Sequence, residues 1–312
     1  MRYLVTGAAG FIGSNLVEAL VARGEQVVGL DNFSTGRRGN IAPFLDRIDF
    51  IEGDIRDLET CRGACAGADF VLHQAALGSV PRSVDDPAGS NDNNVTGTLN
   101  MLIAARDAKV RGFVFAASSS AYGDTPTLPK VETMPAIPLS PYAVTKLVGE
   151  HYCRVFFEVF GLPTVALRYF NVFGPRQDPE GAYAAVIPRF ARAILQGEPP
   201  VIFGDGEQTR DFCYIDNVVQ ANLAACAAGP EAFGKVMNIG AAGRISLSDL
   251  TKRMLELLGS KLLPDHAPPR AGDVRDSQAD INLARRLIGY DPKVDVLEGL
   301  GKAIGWYREA LT

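Results

Sequence analysis

The chain has 312 residues, 47% of them hydrophobic and 21% charged, which is enough apolar material for one large domain or two closely joined ones and is not a disordered composition. A formal charge of −5 argues against a protein that grips nucleic acid through surplus lysine and arginine, and three scattered histidines (His73, His151, His266) do not make a metal site. Five cysteines without CxxC spacing argue against a disulfide framework or a zinc module and fit reduced thiols in a cytoplasmic protein.

Met1 and Arg2 run straight into a β-branched segment and a glycine turn, so no signal peptide is expected; apolar runs such as residues 101–105 and 113–117 fall far short of the ~20 residues of a membrane span. Short β-branched runs predict strands at residues 3–6, 26–30, 48–52, 70–73 and 113–117. Apolar residues at helical spacing predict helices at 11–23, 58–66 and 90–108 between them. That alternation indicates an α/β fold, a parallel sheet covered on both faces. Ser140-Pro141 opens a further helix, with serine as its cap and proline in its first turn, and Gly161-Leu162-Pro163 stops it before a strand at 164–168. After Tyr169 turn signals crowd (Gly174-Pro175, Asp178-Pro179, Pro199-Pro200), with helices expected at 186–196, 216–228, 247–258 and 281–288. The chain therefore divides near residue 170. Residues 1–170 are expected to form the sheet domain and residues 171–312 a smaller mixed α/β lobe, with late segments crossing back.

The first strand runs directly into Gly7-Ala-Ala-Gly10-Phe-Ile-Gly13, which opens the first helix. Glycines at this spacing allow a tight turn, close backbone approach to a pyrophosphate, and close helix-to-strand packing. The helix N-terminus then offers free N–H groups to the phosphates. Asp31 ends the second strand at about the ~20-residue offset at which a carboxylate meets the adenosine ribose, favouring NAD over NADP. A phosphate-binding P-loop is excluded, since Ser14-Asn15 follows the last glycine. Together these features predict a Rossmann-type, doubly wound parallel sheet. Arg37 and Arg38 are expected to be solvated loop charges.

Tyr142-Ala-Val-Thr-Lys146 places a phenol and an ammonium one turn apart on a helix face. Tyrosine, with an ordinary pKa near 10, is a poor base at neutral pH. A neighbouring ammonium and an oxidised nicotinamide both favour the phenolate. The same spacing also suits a solvated helix face, so its meaning depends on the dinucleotide fold around it. Ser118-Ser119-Ser120 ends the fifth strand, at the sheet edge where such folds hold ligands, although a turn or capping cluster reads the same way.

Gly7-x-x-Gly10-x-x-Gly13, Asp31-Asn32, Asp54-Ile55, Ala116-Ala-Ser-Ser-Ser-Ala-Tyr-Gly123, Tyr142-x-x-x-Lys146 and Arg168-Tyr-Phe-Asn171 together resemble the extended short-chain dehydrogenase/reductase family, in its nucleotide-sugar epimerase and dehydratase branch. The likeness runs over essentially the whole chain. It implies bound NAD, a nucleotide-sugar lobe at the C-terminal end, and a homodimer built as a four-helix bundle from the helices near 90–108 and 140–160 of each copy. It further implies that Tyr142 is the base, that Lys146 holds the nicotinamide ribose and tunes Tyr142, and that Ser118 bonds the reacting hydroxyl. Gly7, Gly10, Phe11, Ile12, Gly13, Asp31, Asn32, Asp54, Ile55, Ala75, Asn93 and Tyr169 match NAD contacts. On the substrate side the matching positions are Ser79, Ser119, Ser120, Asn171, Val186, Val201, Phe203, Arg210, Arg270, Asp273 and Ser277. A diphosphate suits the guanidinium forks of Arg210 and Arg270.

Members of this branch share oxidation at sugar C4 and then diverge. The 4,6-dehydratases use an Asp-Glu pair just after the catalytic Ser/Thr position, and UDP-glucuronate decarboxylases place a glutamate in this segment. Ser119 and Ser120 stand there instead, which leaves 4-epimerisation through a 4-keto sugar that turns over before reduction on its opposite face. Leu77-Gly-Ser-Val-Pro-Arg-Ser83, the segment 176–188 and the segment 273–280 resemble epimerases that prefer UDP-N-acetylglucosamine and UDP-N-acetylgalactosamine. Ser277 matches the place where a tyrosine restricts some UDP-glucose epimerases, so it leaves room for an acetamido group. UDP-glucose alone and UDP-glucuronate are the alternatives; Asn171, where glucuronate epimerases commonly carry threonine, weighs against the latter. A silent NAD-sensing scaffold on the same fold is the remote alternative, and the intact Tyr142/Lys146 pair opposes it.

Overall fold

The computed structural model describes residues 1–179, 184–269 and 274–311. The strands in chain order are β1 (Arg2–Thr6), β2 (Gln26–Asp31), β3 (Asp49–Glu52), β4 (Phe70–His73), β5 (Gly112–Ser118), β6 (Thr164–Tyr169), β7 (Val172–Phe173), β8 (Val201–Phe203), β9 (Thr209–Arg210), β10 (Cys213–Tyr214), β11 (Lys235–Ile239), β12 (Ile245–Ser246) and β13 (Asp265–Ala267). The helices are α1 (Phe11–Ala22), α2 (Arg38–Ile41), α3 (Leu58–Cys65), α4 (Val80–Asp85), α5 (Pro87–Asn91), α6 (Gly97–Asp107), α7 (Pro141–Phe160), α8 (Val186–Leu195), α9 (Ile215–Cys226), α10 (Leu247–Leu258), α11 (Asn282–Ile288) and α12 (Val296–Leu311).

Seven strands form one sheet in the order β11-β6-β5-β4-β1-β2-β3, every pair parallel. This is the expected doubly wound arrangement, and its order reverses between β1 and β4. Alternation along the strands decides what each face meets. On β5, Phe113, Phe115 and Ala117 join the core under α3, α6 and α7. Val114 and Ala116 point the other way, into the core shared with α1 and α9. That second core runs unbroken from Val5 and Leu16 of the sheet domain to Phe190, Leu250 and Tyr307 of the C-terminal lobe.

The sequence reading of one helix over 90–108 needs revision. The segment begins as α5, widens into a π-helical turn at Asp92–Thr96 and continues as α6. Neither β11 nor α12 is expected from periodicity. Lys235–Ile239 is too short to stand out, yet it forms the sheet's edge strand beside β6 through pairs from Lys235↔Val165 to Ile239↔Tyr169. Chain beyond residue 171 thus returns to the large sheet.

α7 begins as the sequence suggests. The Ser140 Oγ accepts the Ala143 N–H at 3.2 Å, Pro141 occupies the first turn, and Gly161 ends the helix with φ 69°. It is tied to β6 by an interior ion pair. Arg168 Nε and Nη2 donate to the two Glu150 carboxylate oxygens at 2.8 and 2.7 Å, with side chains only 5% and 3% exposed. The guanidinium also lies 4.5 Å from the Tyr122 ring centroid. Removing one partner strands a buried charge, so Glu150→Gln should cost about 3–5 kcal/mol in urea unfolding; a loss below about 1 kcal/mol would show that the pair does not hold α7 to the sheet.

Candidate active site

The first turn is a close backbone contact. Gly7 has φ 67° and donates its N–H to the Leu30 carbonyl at 2.8 Å, and Gly10 N–H returns to the Gly7 carbonyl at 3.0 Å. A Cβ on Gly13 would fall 2.0 Å from the Gly7 carbonyl oxygen, and one on Gly7 would fall 2.9 Å from Ala75 N. No side chain fits at either place, so α1 is drawn onto β1 and its N-terminus opens into a cleft of about 440 Å³. The cleft lies over the strand ends where the sheet order reverses. A glycine-floored cradle at a helix N-terminus, with a carboxylate at its far side, fits a dinucleotide.

Asp31 is that carboxylate, at the end of β2. It accepts N–H groups from Ala9 at 2.9 Å and Phe33 at 2.7 Å. Burial raises its pKa above the usual value, against those backbone bonds. Gly7, Gly10, Phe11, Ile12, Gly13, Asp31, Asn32, Ile55, Ala75 and Asn93 line the cleft, and so does Ser79. Asp54 and Tyr169 are not among the lining residues. Asp54 is turned to Arg56 and Asn32, each at 2.8 Å, and the Arg56 hydrogen bond chiefly lowers its carboxyl to about 2. The Tyr169 hydroxyl is occupied by Gln74 and Asn222. Arg37 and Arg38 are not merely solvated: Arg38 pairs with Glu52 and covers the Phe33 ring, and Arg37 pairs with Asp178.

Ser118 closes β5, and its Oγ lies 2.8 Å from Ser120 Oγ and accepts the Ser120 N–H. Ser119 and Ser120 are half-exposed. Tyr142 lies in the first turn of α7; burial raises its phenol pKa and the nearby Ser118 hydroxyl works against the rise. Lys146 donates to the Ala116 carbonyl at 2.8 Å and lies 5.0 Å from the Phe115 ring centroid. Burial pushes its ammonium down to about 8, with Cys153 and Glu150 opposing. At about 8 the lysine is still largely an ammonium at neutral pH, one turn from Tyr142 on α7.

Sequence reasoning missed the supports of this pair. The Tyr142 N–H donates to Ser83 Oγ at 3.0 Å, Thr145 Oγ1 donates to the Tyr142 carbonyl at 2.8 Å, and Asn94 Nδ2 reaches Thr145 Oγ1 at 3.0 Å. Asn94 sits in the widened turn before α6, where no periodic signal marks it. His73 is a core residue. Its ring nitrogens meet Thr6 and Thr98, and burial drives its pKa down to about 3, so it stays neutral. All five cysteines are free thiols, and no group of potential metal ligands occurs among the described residues.

On the lobe side, Asn171 Nδ2 donates to Ser277 Oγ at 3.1 Å and to the Asp211 carbonyl at 3.2 Å, bringing two expected substrate positions together. Phe203 and Arg210 line a second cavity of about 500 Å³ with Gln208, Ala267 and Arg275. Arg210 Nη1 donates to the Thr209 and Arg275 carbonyls at 3.0 and 2.6 Å. Val186 opens α8 and Val201 opens β8; neither lines that cavity. Arg189, unmarked in the sequence, covers the Phe203 ring at 5.2 Å. Arg270 and Asp273 lie outside the described residues.

Asp211 is a further missed residue. It is fully buried and accepts N–H groups from Ala241 at 2.8 Å and Ala279 at 2.9 Å, so one carboxylate joins three segments around Arg210 and Ser277.

Residues 3–240 match the model of the NAD dependent epimerase/dehydratase family, and the chain belongs to that family. It is an enzyme, and NAD is its cofactor. It is 42% identical over 312 residues to the UDP-glucose 4-epimerase of Mycolicibacterium smegmatis, with 99% of each chain covered. Among solved structures, it resembles the UDP-N-acetylglucosamine 4-epimerase of Methanobrevibacter ruminantium, in complex with UDP-N-acetylmuramic acid, at 38% identity and TM-score 0.94 over 99% and 98% of the two chains. A mutant UDP-glucuronic acid 4-epimerase of Bacillus cereus, carrying a fluorinated UDP-glucuronic acid and NAD, aligns at 35% identity and TM-score 0.92 over 99% and 100%.

The Asp211 carboxylate sets a pH dependence. Burial raises its pKa from 3.8 to about 6, so the folded state binds this proton more tightly than the unfolded chain does. Its contribution is therefore most favourable at low pH and is lost as pH rises through about 6. The stability of wild type relative to Asp211→Asn should rise as pH falls from 7 to 5, read from thermal midpoints of both proteins; parallel curves would remove this assignment.

Proposed function

We propose that the protein is a UDP-sugar 4-epimerase, an NAD-dependent isomerase, and that its principal reaction interconverts UDP-N-acetylglucosamine and UDP-N-acetylgalactosamine, with UDP-glucose and UDP-galactose as a second pair. One observation carries the reaction type: the Ser118 hydroxyl is near enough to the Tyr142 phenol to bear on its titration, with Lys146 one turn on and no carboxylate at the two residues after Ser118. Tyr142 takes the proton of the C4 hydroxyl and later returns it, while the Ser118 hydroxyl holds the same oxygen. The Lys146 ammonium favours the phenolate and, with Asp31 and the glycine turn, holds the cofactor. Bound in the glycine-lined cleft, NAD supplies the reversible acceptor for the hydrogen lost from C4 and gives it back, so no net redox partner is consumed. With Ser119 and Ser120 beside Ser118, nothing there supplies the acid–base pair for dehydration.

The sugar preference rests on Ser277. Its short side chain is turned onto Asn171, which supports a pocket with room for an acetamido group. Arg210, which lines the second cavity, holds the diphosphate, a role that the family resemblance also gives to Arg270. The Mycolicibacterium smegmatis relative favours a second reading, UDP-glucose as the main substrate. A homodimer through α6 and α7 agrees with the exposure of Val144, Val155 and Val159 along α7. No helix among the described residues is long and apolar enough to cross a membrane. A cytoplasmic location agrees with the free thiols.

Equilibrium assays with UDP-N-acetylglucosamine, UDP-glucose and UDP-glucuronate side by side test the assignment. The N-acetylated sugar should turn over fastest; a faster glucuronate would overturn it. Tyr142→Phe should keep NAD and lose turnover by at least ~10²-fold, and near-normal activity would sink the role of the phenol. Ser277→Tyr should depress activity on N-acetylated sugars more than on UDP-glucose, whereas equal losses would remove Ser277 as the selecting residue.

A further inference from the structure

The cofactor cleft has two lips of different origin. On one side, the loop after β2 carries Arg37, whose N–H is fixed to the Ala9 carbonyl of the glycine turn at 2.9 Å. On the other, the lobe segment 174–179 lies against α1. There Arg176, with a left-handed backbone at φ 68°, sends its guanidinium to Ser14 Oγ at 3.1 Å, Asn15 Oδ1 at 2.7 Å and Glu18 Oε2 at 2.5 Å. Asn15 Nδ2 in turn donates to the Pro175 carbonyl at 3.1 Å. The segment is thus pinned from behind, and Arg37, Arg176 and Asp178 all line the cleft. Across the opening, Arg37 Nη2 meets Asp178 Oδ1 at 2.5 Å, joining residues 141 apart in sequence.

We propose that Arg37 and Asp178 are positioning residues for the cofactor: their ion pair latches the lobe segment to the nucleotide loop and sets how long NAD stays bound. Arg37 is held by the glycine turn and the segment carrying Asp178 is held to α1 through Arg176, so the ion pair spans the mouth of the cleft between two anchored backbones and its opening uncovers the cofactor. A cofactor restored in every catalytic cycle has no need to leave between turnovers, and a latch of this kind suits retention. Arg37 has a second consequence for specificity. Its guanidinium is engaged by a carboxylate across the cleft, so it is not held ready for a 2′-phosphate on the adenosine ribose. The pair is nearly half exposed, 44% and 42%, so it is a modest, salt-sensitive clasp. The inference rests on NAD occupying this cleft.

The test is a chase. Holoenzyme loaded with radiolabelled NAD is mixed with excess unlabelled NAD, and loss of label is followed for wild type, Arg37→Asp, Asp178→Arg and the double exchange. Each single variant should release label about two- to fivefold faster, and the double exchange should return to near the wild-type rate. Salt should speed release from wild type and slow it in the single variants, where it screens the like charges now facing each other. Release from both single variants at the wild-type rate would overturn the latch. So would faster release from Arg37→Asp with no rescue in the double exchange, because Arg37 would then act on the cofactor directly. If circular dichroism shows that a reversed charge prevents folding, Asp178→Asn gives the same reading: faster release supports the latch and unchanged release overturns it. Wild type that retains no label at all would defeat the NAD reading itself, a result distinct from equal rates.

Discussion

The backbone contact between Gly7 and Gly13 is the constraint on which the rest of this structure depends. With no side chain at either position, the start of α1 sits on the end of β1, and the N–H groups of that helix face a cleft and not a packed interface. Asp31 reaches the same place because β2 lies beside β1 in parallel register, Thr6 opposite Leu30. A methyl group at Gly13 would meet the Gly7 carbonyl at 2.0 Å and push α1 off the sheet. The cradle, the carboxylate and the anchoring surface for Arg176 would move together.

The face of α7 that carries Tyr142 and Lys146 follows a different logic, in which burial and charge are set against each other. Lys146 lies in the interior with one carbonyl for a partner, and burial brings it to about 8. One turn further along α7, Glu150 is buried as well, but its charge is committed to Arg168. Two cations and one carboxylate therefore share this region of the interior, and the lysine, which lacks a carboxylate of its own, is the group whose proton is held least tightly. Tyr142 stands at the outer end of the same helix, where its first turn is fixed by Ser83 and Ser140. Phenol, buried ammonium and structural ion pair thus occupy successive turns of one helix face.

The lobe is joined to the sheet by more than a linker. β11 completes the sheet beside β6, and one apolar core continues from the sheet into the lobe. Asn171 and Ser277 are joined to each other and, through the Asp211 carbonyl, to strand ends that depend on this return, so lobe and sheet share a common frame.

Much of this was written locally. The glycine spacing, Asp31 at a strand end, Tyr142 and Lys146 one turn apart and the Ser140-Pro141 start of α7 each depend on residues within a few positions of one another, and the alternation of strands and helices fixed the doubly wound sheet. What sequence could not place depends on partners far away. β11 is a short segment whose strand character exists only beside β6, 70 residues earlier in register (Lys235 against Val165). The widened turn that presents Asn94 breaks the helical period that would have revealed it. Asp211 reads as one more acidic residue until folding removes its water and leaves it joining three segments. Arg37 reads as a solvated charge until the chain brings Asp178 across the cleft. The sequence by itself determined the chemistry of the groups and the local geometry of each motif, because both are set by covalent structure and near neighbours. Only the tertiary structure decided which charges lose their solvent and which distant backbones meet, because desolvation and long-range hydrogen bonding exist only once the chain has closed on itself.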